Sequence, residues 1–393
     1  MGHKAPGKAF RKGITLLEVA DMFRDEDAAR DWIAAQRWPN GPACPFCGTH
    51  NVQENIKHKT MTHRCRVCVK GSSKRMFTLK TGTVMEASNL PYRVWAVGIY
   101  LFTTNLKGIS SMKLHRELGI GQKAAWFMLH RLRKAFEAEA GPFTGPVEVD
   151  ETYVGGKEKN KHASKKLREG RGPVGKTAVI GMKDRETNRV SATSIDRTDG
   201  PTLKGFVREQ VTAEATVYTD DHGGYHGLPN HETVKHSVGE YVDGQAHTNG
   251  IESFWSMLKR GYHGTYHRMS RKHLDRYVNE FAGRHNLRDE DTVDQMAAVA
   301  RGMGGKRLKY EDLTCTPPPS AGGVRALLTG APPLLRRQSP CPSGDAPRVG
   351  RPDLPGPPVQ LEPGLQRHLP WRHGAGAGVR GYLGLGTALR LRP

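Results

Sequence analysis

In residues 14–36, ITLLEVADMFRDEDAARDWIAAQ, apolar side chains recur every three or four positions, the spacing that lines one face of a helix. The pattern predicts a helical leader within residues 1–40. Residues 88–142 show the same period with more basic positions. Within them SSMKLHRELGIGQKAAWFMLHRLRKAF breaks at Gly119, which predicts a short helix, a tight turn and a longer helix. In the longer one Ala125, Met128, Leu129, Leu132 and Phe136 form an apolar stripe, leaving Lys123, His130, Arg131, Arg133 and Lys134 for the outer face. This is the outline of a helix-turn-helix whose second helix would enter a major groove, and equally of an ordinary basic helical hairpin.

From Gly145 the period changes to strand-like alternation. PVEVDETYVGG predicts one strand, and GKTAVIGMKD and RVSATSID predict two more joined by the turn-forming RETN. GPTLKGFVREQV reads as a helix, ATVYTD as a fourth strand and HETVKHSV as a fifth, with helices at 247–261 and 270–285. Three strands, a helix, a strand and further helix is the order of a ribonuclease-H-like α/β domain, here residues 143–310. Residues 311–393 follow no such pattern. Positions 314–393 hold 15 of the 25 prolines and 13 glycines, and no lysine follows Lys309. That composition predicts a disordered tail, and its arginine-without-lysine bias suggests translation past an original stop codon. Cys315 and Cys341 are expected there as free thiols.

Charge narrows the class of partner. Lys and Arg outnumber Asp and Glu by 60 to 39, a net of +21 over 393 residues. Such an excess predicts a polyanion, with double-stranded DNA ahead of a membrane surface. No run of 18 apolar residues and no signal-peptide core is present, so a soluble cytoplasmic, nucleoid-associated protein is expected.

Six cysteines do not make a disulfide scaffold at this length. Four are clustered: Cys44 and Cys47 form one CxxC, Cys65 and Cys68 another, with 17 residues between the pairs. Two such knuckles offer four thiolates to tetrahedral Zn2+ on a small β-ribbon, residues 41–80. A redox dithiol needs only one CxxC. A closed four-thiolate shell leaves zinc no open position, so its role is structural. His50, His58 and His63 are then surface residues.

Three acids occupy positions suited to metal-dependent phosphoryl transfer. Asp150 ends VEVD, Asp220 ends VYTD at a sheet's carboxyl edge, and Glu252 lies near the start of the next helix. Hard cations such as Mg2+ or Mn2+ take carboxylate oxygens, and two ions about 3.5–4 Å apart can activate the attacking oxygen and stabilise the leaving one. Asn249, Glu252 and Lys259 share one helical face and would present an amide, a ligand and a cation to one phosphate. Strand period puts Glu148 on the face of Asp150 and Glu151 on the opposite one, while Asp221 points away from Asp220. Trp255, with Ile251, Phe254 and Leu258, reads as packing against the sheet, with base stacking as the other option. His222, His226 and His247 lie near enough to tune the site, or are ordinary satisfied histidines.

The stretches CPFCG, CRVC, FTLKTGTVMEASNLP, VEVDETYVGGK, VYTDDHGGY, HTNGIESFWSMLKRG and KRLKY together resemble the DDE-type insertion-sequence transposases of the ISXO-like group, which carry an N-terminal zinc ribbon. The resemblance runs from the ribbon to about residue 310. It implies cutting of DNA at the ends of a mobile element and joining of the 3′ ends to a target. It also implies a ribonuclease-H-like fold holding Asp, Asp and a third residue with Mg2+ or Mn2+. Carried onto this chain, the first Asp is Asp150 and the second Asp220. In such elements Asn can replace Glu at the third position and a downstream Lys is also counted. Here Asn249, Glu252 and Lys259 are all present, and Glu252 is preferred because a carboxylate binds the metal better than an amide. Pairing of two element ends implies a homodimer or larger assembly on DNA. A DNA-binding regulator and a stand-alone nuclease without strand transfer are the other readings.

Overall fold

A computed structural model of the chain describes residues 12–71, 75–137, 141–156, 158–167, 173–234 and 248–315. The expected tail does not begin at residue 311, since Tyr310–Thr314 is a short helix that buries Leu313; residues 316–393 with Cys341, the second half of HETVKHSV and His247 lie outside the described residues.

The chain opens with α1 (Leu16–Met22) and α2 (Glu26–Arg37). Thr15 and Glu18 close a capping box on α1, and Asp25 accepts from the Ala28 N–H at the start of α2. Both caps satisfy amides that a helix start leaves without partners. The ribbon follows as three short antiparallel strands in the order β1 (Val52–Gln53), β2 (His63–Cys65) and β3 (Met76–Phe77). Next come α3 (Tyr92–Thr104), α4 (Ser111–Leu118) and α5 (Gln122–Ala135). The break between the last two falls at Gly119, whose φ of 63° ends α4 in the left-handed region that glycine tolerates without strain.

One core joins Val19, Phe23 and Ile33 to Trp95, Ile99 and Phe102 of α3 and to Met128, Leu129 and Leu132 of α5. Met296, Val299, Ala300 and Met303, from α9 (Thr292–Gly302) and the residue after it, complete that core from the far end of the chain. The expected apolar stripe of α5 is therefore where its period put it. The expected outer face is not: His130, Arg131 and Arg133 are buried. The far side of α5 is covered by α8 (Leu274–Asn286), and Arg133 Nε lies 2.7 Å from Glu280 Oε2 of that helix. Arg131 donates to the Glu86 carbonyl. A helix sandwiched between two layers buries both faces; Arg133 persists there by its pair with Glu280, and Arg131 by a backbone carbonyl and the Phe127 ring. Of the five basic positions only Lys123 is exposed, stacked over the Tyr310 ring, and Lys134 is half-buried.

The second unit is a five-stranded sheet in the order β6-β5-β4-β7-β8, built from β4 (Val147–Val154), β5 (Thr177–Asp184), β6 (Val190–Ile195), β7 (Val217–Asp220) and β8 (His231–Val234). The first three strands form an antiparallel meander, and β7 and β8 run parallel to β4. Helix α6 (Gly200–Gln210) links β6 to β7 and packs Leu203, Phe206 and Val207 on Val147, Val149, Ile180 and Met182. Helix α7 (Asn249–Gly261) and α8 cover the other face through Ile251, Phe254, Trp255, Leu258 and Phe281 against Val154, Val179 and Val190. This is the ribonuclease-H-like arrangement that the element order predicts. Among the described residues no helix is long and apolar enough to cross a membrane.

Candidate active site and zinc centre

The ribbon brings its four cysteines together. Sγ atoms lie 3.8 Å apart for Cys44 and Cys68, and 3.6 Å apart both for Cys47 with Cys65 and for Cys47 with Cys68. All four fall within 4.8 Å of one another. A tetrahedron with Zn–S bonds of about 2.3 Å has edges of about 3.8 Å, so the donor set fits structural zinc. His50 and His58 are at the surface as expected. His63 is not: it is half-buried, stacked on Phe77 at 5.3 Å and 14°, with Trp38 edge-on at 5.1 Å, and burial lowers its pKa. It serves as a small core residue because the ribbon has too little apolar surface of its own.

Sheet register makes neighbours of the two aspartates. Val147 pairs with Val217 and Glu148 with Tyr218, an offset of 217 − 147 = 70 residues. The same offset separates Asp150 from Asp220, two residues beyond the paired positions, and Asp220 acts electrostatically on the Asp150 carboxyl. The alternation along β4 holds as expected: Glu148 and Asp150 face α7, while Glu151 faces the α6 side, where its Oε1 accepts from the Tyr225 hydroxyl at 2.6 Å. Glu148 is buried and anchors the start of α7, accepting from the Ile251 N–H at 2.9 Å and pairing with Arg185 at 3.0 Å.

The surroundings of Asp150 are unfavourable to negative charge. Burial pushes the Asp150 carboxyl up to about 7, with Asp220 and Glu151 adding to the rise against a backbone bond from Glu151 and the Trp255 indole. Glu151 is also raised, first by burial. Asp220 Oδ1 is buried and has no hydrogen-bond partner among the described residues. A buried carboxylate oxygen without a donor is costly, and the acids beside Asp150 make a negative charge there costlier still. Unpartnered oxygen and adjacent acids are the donor set that a divalent ion would satisfy.

Glu252, Asn249 and Lys259 are exposed on α7. At about 100° per residue, Glu252 and Lys259 differ by about 20° around the helix and Asn249 by about 60° from Glu252, so the three share one flank. Glu252 Oε1 lies 3.3 Å from Thr248 Oγ1. It sits one helical turn from Trp255, whose Nε1 donates to Asp150 Oδ2 at 3.0 Å. Among the described residues the four cysteines are the only group of three or more His, Cys, Asp or Glu close enough to share one ion; the three acids are not drawn together that tightly. Asp221, His222 and His226 are exposed, and His222 Nδ1 accepts from the Gly224 N–H.

Two features escaped sequence reasoning. The Trp255–Asp150 bond is one, although Trp255 does pack on the sheet as expected. The other is the Tyr225–Glu151 bond. A signal for the first was present: Gly181 interrupts the apolar run AVIGM, and a glycine inside a strand often marks a close approach. Gly181 pairs directly across from Asp150, and Trp255 fills the space beside it.

Comparisons with known proteins agree with this architecture. Residues 142–286 match the ISXO2-like transposase domain, and residues 24–71 match the transposase zinc-ribbon domain. An uncharacterized protein in transposable element ISH50 of Halobacterium salinarum is 28% identical over 273 residues, spanning 66% of this chain and 90% of that protein. A chain in the cryoEM structure of the simian T-cell lymphotropic virus intasome in complex with PP2A regulatory subunit B56 gamma is 14% identical. That alignment covers 62% of this chain and 84% of that one with a TM-score of 0.22, too slight a likeness to build on. Matched in chain order to a transposase zinc ribbon and an ISXO2-like transposase domain, the protein is similar to the ISXO-like group of DDE-type insertion-sequence transposases that carry an N-terminal zinc ribbon.

Proposed function

We propose that this chain cuts the ends of an insertion sequence and joins the 3′ ends to target DNA, with Asp150, Asp220 and Glu252 holding two Mg2+ or Mn2+ ions. The observation that carries the reading is the buried, unpartnered Asp220 Oδ1 beside an Asp150 carboxyl pushed up to about 7. When bound, the two ions would activate the attacking oxygen and stabilise the leaving one. Asp150 is held ready on β4 by the Trp255 indole, and Asp220 presents its free oxygen from the carboxyl end of β7. Glu252 completes the ligand set from the exposed flank of α7, with Asn249 and Lys259 beside it to take an amide and a charge contact to the scissile phosphate. No covalent intermediate on the protein is needed, since water and a DNA 3′-hydroxyl can each attack in line.

The ribbon of residues 41–80 and the exposed basic positions of the helical region at 88–142 bind the element ends. The net charge of +21 then gives a steep fall of affinity with salt. Synapsis of two ends requires at least a homodimer on double-stranded DNA, in the cytoplasm with the nucleoid. The test is incubation of the zinc-loaded protein with Mn2+ and a duplex carrying an element end. Cleaved and joined products are expected, both absent for Asp150→Asn and Asp220→Asn. Cleavage with no joining of a pre-cut 3′-hydroxyl end would leave a stand-alone nuclease. No Mn2+-dependent product at all would leave a DNA-binding regulator.

A further inference from the structure

We propose that Trp255 is a positioning residue for Asp150: its indole N–H fixes Oδ2 and so turns the other carboxylate oxygen along the β4–β7 boundary toward Asp220. This rests on the metal-holding role proposed for Asp150. A buried indole needs a partner for its N–H, and here that partner is the acid beside the unsatisfied Asp220.

The placement is set from two sides. At one end, Glu148 holds the start of α7 by accepting from Ile251, and a side chain on Gly250 would come within 2.6 Å of Glu148 Oε2. At the other, β5 gives up a side chain to seat the ring. An ideal Cβ on Gly181 would lie 2.6 Å from Cη2 and 2.9 Å from Cζ2 of Trp255. The indole thus occupies the space that any other residue opposite Asp150 would fill. Clamped at the helix start and seated in the glycine slot, the ring meets Asp150 at one height. A carboxylate with one oxygen held by a neutral donor keeps its charge and loses rotation about its last bond. That is how partners outside a metal's immediate ligands orient those ligands.

The experiment uses the zinc-loaded full chain with Trp255 replaced site-specifically by benzothienylalanine, which keeps the ring shape and removes the N–H, alongside Trp255→Phe. Mn2+ binding is titrated by electron paramagnetic resonance of the free ion, and the thermal midpoint is recorded without Mn2+. Asp150→Asn serves as reference. The expected result is Mn2+ binding weakened about tenfold in both Trp255 replacements, with the benzothienyl protein still melting cooperatively, a few degrees lower for the one donor it lacks. If Asp150→Asn loses Mn2+ binding while the benzothienyl protein binds as the unsubstituted chain does, the positioning role is overturned and the metal site stands. If Asp150→Asn binds Mn2+ unchanged, the metal-holding reading falls and this inference with it.

Discussion

Replacing Glu280 by glutamine keeps the shape of a fully buried side chain and removes its charge. In the native chain Glu280 Oε2 accepts from Arg133 Nε at 2.7 Å, and Oε1 accepts from Arg284 Nη2 at 2.8 Å and Nε at 3.1 Å. The Tyr266 hydroxyl donates from 2.8 Å. Burial alone would raise the carboxyl pKa, yet Arg133 and Arg284 hold it below the ordinary value. Glu280→Gln leaves two guanidiniums, with side chains 1% and 7% exposed, facing one neutral amide. Arg284 keeps the carbonyls of Phe102 and Thr103, whereas Arg133 keeps the Tyr277 and Tyr266 rings, 4.0 and 5.3 Å away, and that amide. The net effect is about one stranded buried cation, which costs about 3–5 kcal/mol. At about 2–4 °C per kcal/mol, the thermal midpoint falls on the order of 10 °C. Urea unfolding of the zinc-loaded protein, followed by circular dichroism and by tryptophan fluorescence, measures the loss. Adding Arg133→Met removes the stranded charge and should recover about half of it. A single variant within about 1 kcal/mol of the unsubstituted chain would refute the reasoning, because it would mean that the triad carries no net coupling between α5 and α8.

Two further outcomes are expected. Cys44→Ser, or a strong chelator, removes one zinc per chain and costs the ribbon its strands, since a three-stranded ribbon with a core of Cys44, Cys65 and Phe77 cannot stand without metal; inductively coupled plasma measurement of bound zinc and near-ultraviolet circular dichroism check both. Histidines buried near arginines set an acid limit: burial first, then Arg133 and His273, pushes His130 far down, and His273 and His285 fall to about 4 and about 3. A folded pKa below the unfolded value of about 6.5 means that the unfolded chain takes protons first, so this stability is complete above about pH 6.5 and drains as pH falls toward the folded values. His130, with both ring nitrogens unpartnered, contributes up to about 1.4 kcal/mol per pH unit, and half-exposed His273 less because solvent screens it. His130→Leu should therefore gain more stability over the unsubstituted chain at pH 5 than at pH 8, and an equal difference at both values would sink the argument. The comparison cancels Asp150 and Glu151, whose raised pKa values act in the opposite sense.

Much of the design was written locally. The period of residues 14–36, the glycine break at Gly119, the alternation of VEVDETYV with its RETN turn and the two CxxC knuckles each follow from nearest-neighbour geometry. Steric and hydrogen-bonding preferences act over a few residues, so a linear pattern carries them. The opposed faces of Asp150 and Glu151 were legible for the same reason, because a strand alternates whatever surrounds it.

Which face of an element meets water is a different matter. The period of α5 identified one buried face, but only the arrival of α8 on the other side put His130, Arg131 and Arg133 in the interior, and the partner that makes this tolerable, Glu280, lies 147 positions downstream of Arg133. The closing of the helical core by α9 is equally a long-range event. So is the neighbourhood of Asp150: it takes the β4–β7 register to bring up Asp220, the gap at Gly181 and the docking of α7 to bring the Trp255 indole within 3.0 Å. Burial, pairing and the raised carboxyl all arise from groups remote in the chain. They are properties of the packed whole, since desolvation and Coulomb interaction depend on distance through space and not along the backbone.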